Sequence, residues 1–148
     1  MAALSGNIKK VHAYPSNARV RGTRISTKAG VQIVMGRLVV KGASAGTCSP
    51  TVSASAGSEP MGYAMYSERD DAVNSSPYYT SGSPMVVETL VPGMVLNLTT
   101  VANIAEGAIG DAGEDGKVRA LGASSVTRRR FMANEAITAG NIGEFIVL

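Results

Sequence analysis

Apolar residues in this chain come in short runs, and each run meets glycine, proline or asparagine before it reaches helical length. The second half shows this most plainly. Val86–Leu98 reads VVETLVPGMVLNL, Ile104–Asp111 reads IAEGAIGD, Gly116–Gly122 reads GKVRALG, and Ile137–Leu148 reads ITAGNIGEFIVL. Short runs of Val, Ile and Leu bounded by turn residues predict the strands of a small antiparallel β structure.

The same reading extends to the rest of the chain. Val31–Val40 (VQIVMGRLVV) predicts a strand or strand pair broken at Gly36, and Met61–Tyr66 a further strand. Val86–Leu90 and Met94–Thr100 are strands joined across Val91-Pro92-Gly93, where proline presets φ and glycine accepts a positive φ. Ile104–Gly110, Lys117–Leu121 and Gly143–Leu148 complete the set. Gly42–Ser58, built of small residues, and Ser67–Pro84 are expected to be surface loops, and Arg128–Ile137 is the best candidate for a short helix or turn. Residues 1–28 show no sustained period of either kind and are expected to form an extended basic N-terminal arm, with the β domain at 29–148. The expected fold is therefore all-β: a small antiparallel β-barrel or sandwich with an extended N-terminal arm and at most one short helix.

Composition limits the core. A chain of 148 residues buries roughly two thirds of its unfolded surface. Aromatic residues are only 5% and tryptophan is absent, so the interior must be filled by small side chains. Thin cores of this kind gain from association with further copies, which makes self-assembly an expectation. Charge is uneven: eight basic residues (Lys9, Lys10, Arg19, Arg21, Arg24, Lys28, Arg37 and Lys41) precede the first acidic one, Glu59. The acidic middle runs from Glu59 to Asp115, so a basic arm facing an acidic surface is implied.

Candidate chemistry is sparse. One cysteine, Cys48, and one histidine, His12, exclude an intrachain disulfide and a zinc site of Cys and His ligands. Cys48 lies in a small-residue stretch with no Cys-His signature around it. Gly110–Lys117 (GDAGEDGK) lacks the glycine spacing and hydroxyl of a phosphate loop and the ligand positions of a calcium loop; Asp115-Gly116 instead predicts a hairpin turn. Glu68, Asp70 and Asp71 read as solvated loop charges. Arg128-Arg129-Arg130 lacks an aromatic platform beyond Phe131, so an interchain salt bridge to the acidic middle is at least as good a reading as nucleic-acid contact. No metal, cofactor or catalytic constellation is expected, and the chain reads as a non-enzyme. No apolar run approaches membrane-spanning length and no signal-peptide h-region opens the sequence, so a protein made in the cytoplasm without membrane contact is expected.

Pro60–Met65 (PMGYAM), Val86–Leu96 (VVETLVPGMVL), Ile104–Gly110, Asp115–Val118 (DGKV) and Ala136–Leu148 together resemble the small cement, or decoration, proteins that coat the heads of tailed bacteriophages. The resemblance covers roughly residues 60–148, with a weaker echo in Ala29–Val40. That family usually carries Gly-Asp where this chain has Gly140-Asn141 and Gly107-Ala108, and the long basic N-terminus is less typical of it. The resemblance implies a homotrimer on the outer surface of an icosahedral capsid, bridging neighbouring major capsid subunits, with the virion as its location. Capsid contact is then expected of Lys9, Lys10, Arg19, Arg21 and Arg24, and interchain contact of Arg128, Arg129 and Arg130. A fibre base or another virion surface subunit fits the same pattern. A nucleic-acid-associated β-barrel whose arm tracks phosphates is the main alternative from another class, with nucleic acid not the favoured partner, and a small barrel enzyme is a third.

Overall fold

The structure, a computed structural model, describes residues 20–52, 59–65, 78–122 and 128–148. Among these residues the strands are β1 (Arg24–Ala29), β2 (Ile33–Val34), β3 (Leu38–Lys41), β4 (Thr47–Pro50), β5 (Gly62–Ala64), β6 (Tyr78–Tyr79), β7 (Pro84–Thr89), β8 (Val95–Thr99), β9 (Ile109–Ala112), β10 (Val118–Ala120), β11 (Phe131–Ala133) and β12 (Ile142–Val147). No α-helix occurs among the described residues, and Glu114–Gly116 form a tight turn in which Asp115 is left-handed.

The strands curl into two bodies. β1, β4, β3, β5 and β7 close into a barrel in that order, with β7 returning to pair with β1. Its neighbours are antiparallel except β1 and β4, which run parallel and meet only at Lys28↔Thr47 and Ala29↔Cys48. Five strands leave a narrow bore. It is filled by Ala29, Ile33, Val39, Cys48, Ala64, Met85 and Val87, small and flexible side chains as the composition requires. The short pair β2–β6 lies beside it.

The second body is the sheet β10-β9-β11-β12-β8. It curls until its outer strands meet at a parallel bridge, Thr100↔Val118, where the Val101 N–H donates to the Val118 carbonyl at 2.8 Å. β12 shows why: Gly143, Phe145 and Val147 are buried while Ile142, Glu144 and Ile146 stay partly exposed, the period of a strand with one face on a core. Phe131 and Phe145, both fully buried, anchor that core together with Leu96, Leu98, Val118 and Val147.

The two bodies share material. Val39 and Ala64 point into the first barrel, while their neighbours Leu38 and Tyr63 point outward and join the core of the second. The Val91-Pro92-Gly93 turn forms as expected, with Gly93 at φ 93 and the Met94 N–H donating to Val91 at 3.1 Å. It carries the chain from β7 in one body to β8 in the other.

The hairpin reading of Asp115-Gly116 also holds. β9 and β10 pair antiparallel, the Lys117 N–H donates to Glu114 at 3.1 Å, and Asp115 (φ 53) and Gly116 (φ 69) are both left-handed, as a type I′ turn demands. This turn docks on the first barrel: Thr51 Oγ1 donates to Gly113 at 2.8 Å, the Gly116 N–H donates to Thr51 at 3.2 Å, and Arg37 Nη1 donates to Asp115 Oδ2 at 2.8 Å.

Several expectations are corrected. The arm does not extend to residue 28: Arg24–Lys28 belong to β1, in five-residue register with β7. The absence of periodicity there arises because β1 presents Arg24, Ser26 and Lys28 outward and is exposed over most of its length. Arg128–Ile137 is not helical; it holds β11, sandwiched between β9 and β12. The small-residue stretch Gly42–Ser58 contains β4, and the strand placed at Ile104–Gly110 begins instead at Ile109. Ile104 itself makes an isolated antiparallel bridge with Ile137.

Candidate functional site

The chain enters the first barrel through a fixed root. The Thr23 N–H donates to Thr89 Oγ1 and the Thr89 N–H returns a bond to the Thr23 carbonyl, both at 2.9 Å. Gly22 lies so close to the Thr89 carbonyl that a Cβ would overlap it, so only glycine permits this approach. From the root, the register Arg24↔Glu88, Glu88↔Tyr63 and Tyr63↔Leu38 sets four side chains in a row across the outer face of the barrel. Directly opposed residues in an antiparallel pair share a face. The row therefore leads from an exposed arginine to the core of the second body.

Glu88 is the unusual member, an acid only 1% exposed. Tyr63 Oη donates to Oε2 at 2.7 Å and the Gly22 N–H donates to Oε1 at 3.2 Å. Burial raises the carboxyl above its ordinary value, with the Gly22 N–H pulling the other way. Burial likewise raises the Tyr63 phenol, opposed by the positive charges of Arg21 and Arg24. Beside the row lies an open groove of about 360 Å³ lined by Arg24, Ser26, Met65, Tyr79, Pro84 and Val86.

Of the five expected capsid-contact residues, Lys9, Lys10 and Arg19 lie outside the described residues. Arg21 and Arg24 are exposed and sit together at the root, Arg21 just before β1 and Arg24 at its first position. Arg128, Arg129 and Arg130 lie far from them in the topology, leading into β11. There the Glu59 carboxylate accepts the backbone N–H groups of Arg128 and Arg129, both at 2.8 Å, and Arg129 Nη1 donates to the Leu148 carbonyl at 3.1 Å. An acid of the middle section thus meets this run within one chain, through the backbone. The Arg128 residue remains exposed.

Cys48 is 1% exposed on β4, its Sγ donating to Met85 Sδ at 3.2 Å, and burial raises its thiol, the opposite of what a nucleophile needs. His12, Glu68, Asp70 and Asp71 lie outside the described residues. Among the described residues no group of three or more His, Cys, Asp or Glu side chains could hold a metal ion, and no helix is long and apolar enough to cross a membrane. Glu88 and Tyr63 were not singled out from sequence. The only signal was a lone acid inside the apolar run VVETL, and alternation alone does not say that both faces of that strand are covered.

No protein-family model matches the chain, and no curated protein matches it in sequence. In structure it is similar to the head fiber gp8.5 N base in bacteriophage phi29, with a TM-score of 0.63 at 13% sequence identity, over 85% of this chain and 93% of that one. Coverage of that extent cannot be confined to one barrel, so the likeness is one of whole fold.

Proposed function

We propose that this chain is a structural subunit of a bacteriophage virion rather than an enzyme: a cement or decoration protein that sits on the outer surface of the head as a trimer and bridges neighbouring major capsid subunits. The observation that supports this reading is the fold's likeness, over nearly its full length, to a phage head fiber base. In this reading the described bodies form a rigid platform, and residues 1–19, with Lys9, Lys10 and Arg19, reach onto the lattice from a root marked by Arg21 and Arg24. Several weak contacts from one trimer add up because each contact after the first is intramolecular.

The test uses DNA-free heads, the full chain and a variant lacking residues 1–19. Deletion must stop there, since removal through residue 28 would take β1 out of the barrel. The full chain is expected to co-sediment with heads and to have three times the chain mass by light scattering. The truncated chain should keep its far-ultraviolet circular dichroism and lose the heads. Undiminished binding by the truncated chain would refute the arm's role. Failure of the full chain to bind heads, together with DNA affinity that falls steeply with salt, would replace this reading with the nucleic-acid one.

A further inference from the structure

Barrel closure at β1 is incomplete, and the incompleteness has a definite polarity. Met65 donates to the Val86 carbonyl at 3.0 Å, so the backbone groups of Val86 face β5 and those of its partner Ser26 face away from β7. The neighbours agree: Ala29 donates to Ser83 on the β7 side, whereas Lys28 and Gly30 donate to Gly46 and Cys48 on the β4 side. Arg24 and Ser26 therefore direct their N–H and C=O groups toward the place where β4 would continue. It does not continue, because the chain before Thr47 turns back, with the Thr47 N–H donating to Ser44 at 3.3 Å. Arg24, Ile25 and Ser26 are exposed, and Ile25 is 37% accessible although its partner Val87 is fully buried.

We propose that this open edge of β1, residues Arg24–Ser26, accepts an extended acidic segment of a partner polypeptide as an added strand. Unpaired strand edges are templates for such addition. The chemistry of the occupant follows from the alternation. On the outer face its side chains would lie beside Arg24 and Ser26, with Lys28 next along the same face where β4 takes over the pairing, while the acid directly across from Arg24, Glu88, is buried and engaged by Tyr63 and Gly22. On the inner face they would lie beside Ile25 at the mouth of the barrel. A segment alternating acidic and apolar residues satisfies both faces, independently of whether the protein works on a virion.

The probe is a blocked heptapeptide alternating Glu and Val, compared with its Lys-for-Glu counterpart, added to the full-length chain. The acidic peptide is expected to slow hydrogen exchange at the Arg24 and Ser26 amides by about tenfold or more, and the basic one to leave them unchanged. Ser26→Pro removes an N–H that makes no bond to β7, so it should preserve the fold and weaken peptide binding by about tenfold or more. Arg24→Glu with Lys28→Glu should reverse the preference between the peptides. Equal protection by both peptides, no protection, or binding indifferent to Ser26→Pro would overturn the proposal. So would protection that appears with protein concentration alone, since the occupant would then be a second copy.

Discussion

Replacing Gly116 by alanine tests whether the β9–β10 turn braces the two bodies or merely reverses the chain. Gly116 sits at φ 69, so any Cβ carries the left-handed penalty of about 1–2 kcal/mol. A Cβ would also lie 2.6 Å from both Arg37 Cβ and the Leu38 carbonyl oxygen, and 2.9 Å from the Leu38 nitrogen. Two of these are backbone atoms of β3, which cannot yield without moving a barrel strand or lifting the turn away. Overpacking of this kind adds about 1–3 kcal/mol, for a total of roughly 2–5 kcal/mol. Gly140 supplies the control, because it is equally left-handed at φ 82 but its Cβ would meet nothing within 4 Å. Gly140→Ala should cost only the backbone share, about 1–2 kcal/mol. Urea unfolding of the three proteins separates the terms, and 1 kcal/mol moves Tm by about 2–4 °C in a chain near this size. If Gly116→Ala and Gly140→Ala prove equal, the turn does not press on β3 and the brace is refuted.

Glu88 gives a pH prediction. Its raised pKa means the folded chain holds that proton more tightly than the unfolded one, so the contribution to stability is fully present below the unfolded value of about 4.3 and is lost as pH rises through the folded value. Urea melts from pH 4 to 8 should therefore show the wild type losing stability relative to Glu88→Gln as pH rises; a difference that stays flat or runs the other way contradicts the assignment. Asp111 is fully buried and its Oδ1 accepts from Arg119 Nε at 3.0 Å, while the Arg119 side chain is 22% exposed. Arg119→Ala should cost about 2–4 kcal/mol and the double alanine variant with Asp111 less than that, because the double removes the stranded charge; a double variant as costly as both singles summed would argue against a coupled pair. Phe131→Ala should cost about 3–5 kcal/mol by leaving a cavity in the second core, measured by the same melts, and a loss under about 1 kcal/mol would mean that core collapses freely.

The sequence made the all-β class legible because the strongest strands obey simple periodicity. β12 alternates around Phe145 and Val147, β8 around Leu96 and Leu98, and the turns between them carry glycine where φ is positive. β1, β4 and β11 were missed for different physical reasons. β1 is exposed on most positions, β4 (Thr47-Cys48-Ser49-Pro50) lacks large apolar residues, and the Arg128–Arg130 run that precedes Phe131 masked a strand of three residues. In each case the strand is fixed by its partners rather than by its own pattern. The same limit hid the Glu88 row, since register between Arg24, Glu88, Tyr63 and Leu38 is a property of pairing between segments distant in sequence.

Under the proposed lattice-bridging role, that row bears on how the barrel would carry a pull from residues 1–19. A barrel packed with alanine, valine and methionine has little core to resist a pull on one of its strands. β1, however, is held to β7 along five consecutive register positions, and β7 is held in turn by β5. Tension entering at Gly22–Thr23 runs along β1 and loads the β1–β7 ladder in shear, so its hydrogen bonds must fail together instead of unzipping one by one. Across the strands the same load reaches Tyr63 and Leu38, which belong to the larger core of the second body. The second body therefore buttresses the first at the level where the chain enters it. Tension entering at the opposite end of β1 would instead act first on the two-residue parallel contact with β4, which is shorter than the five-position ladder with β7.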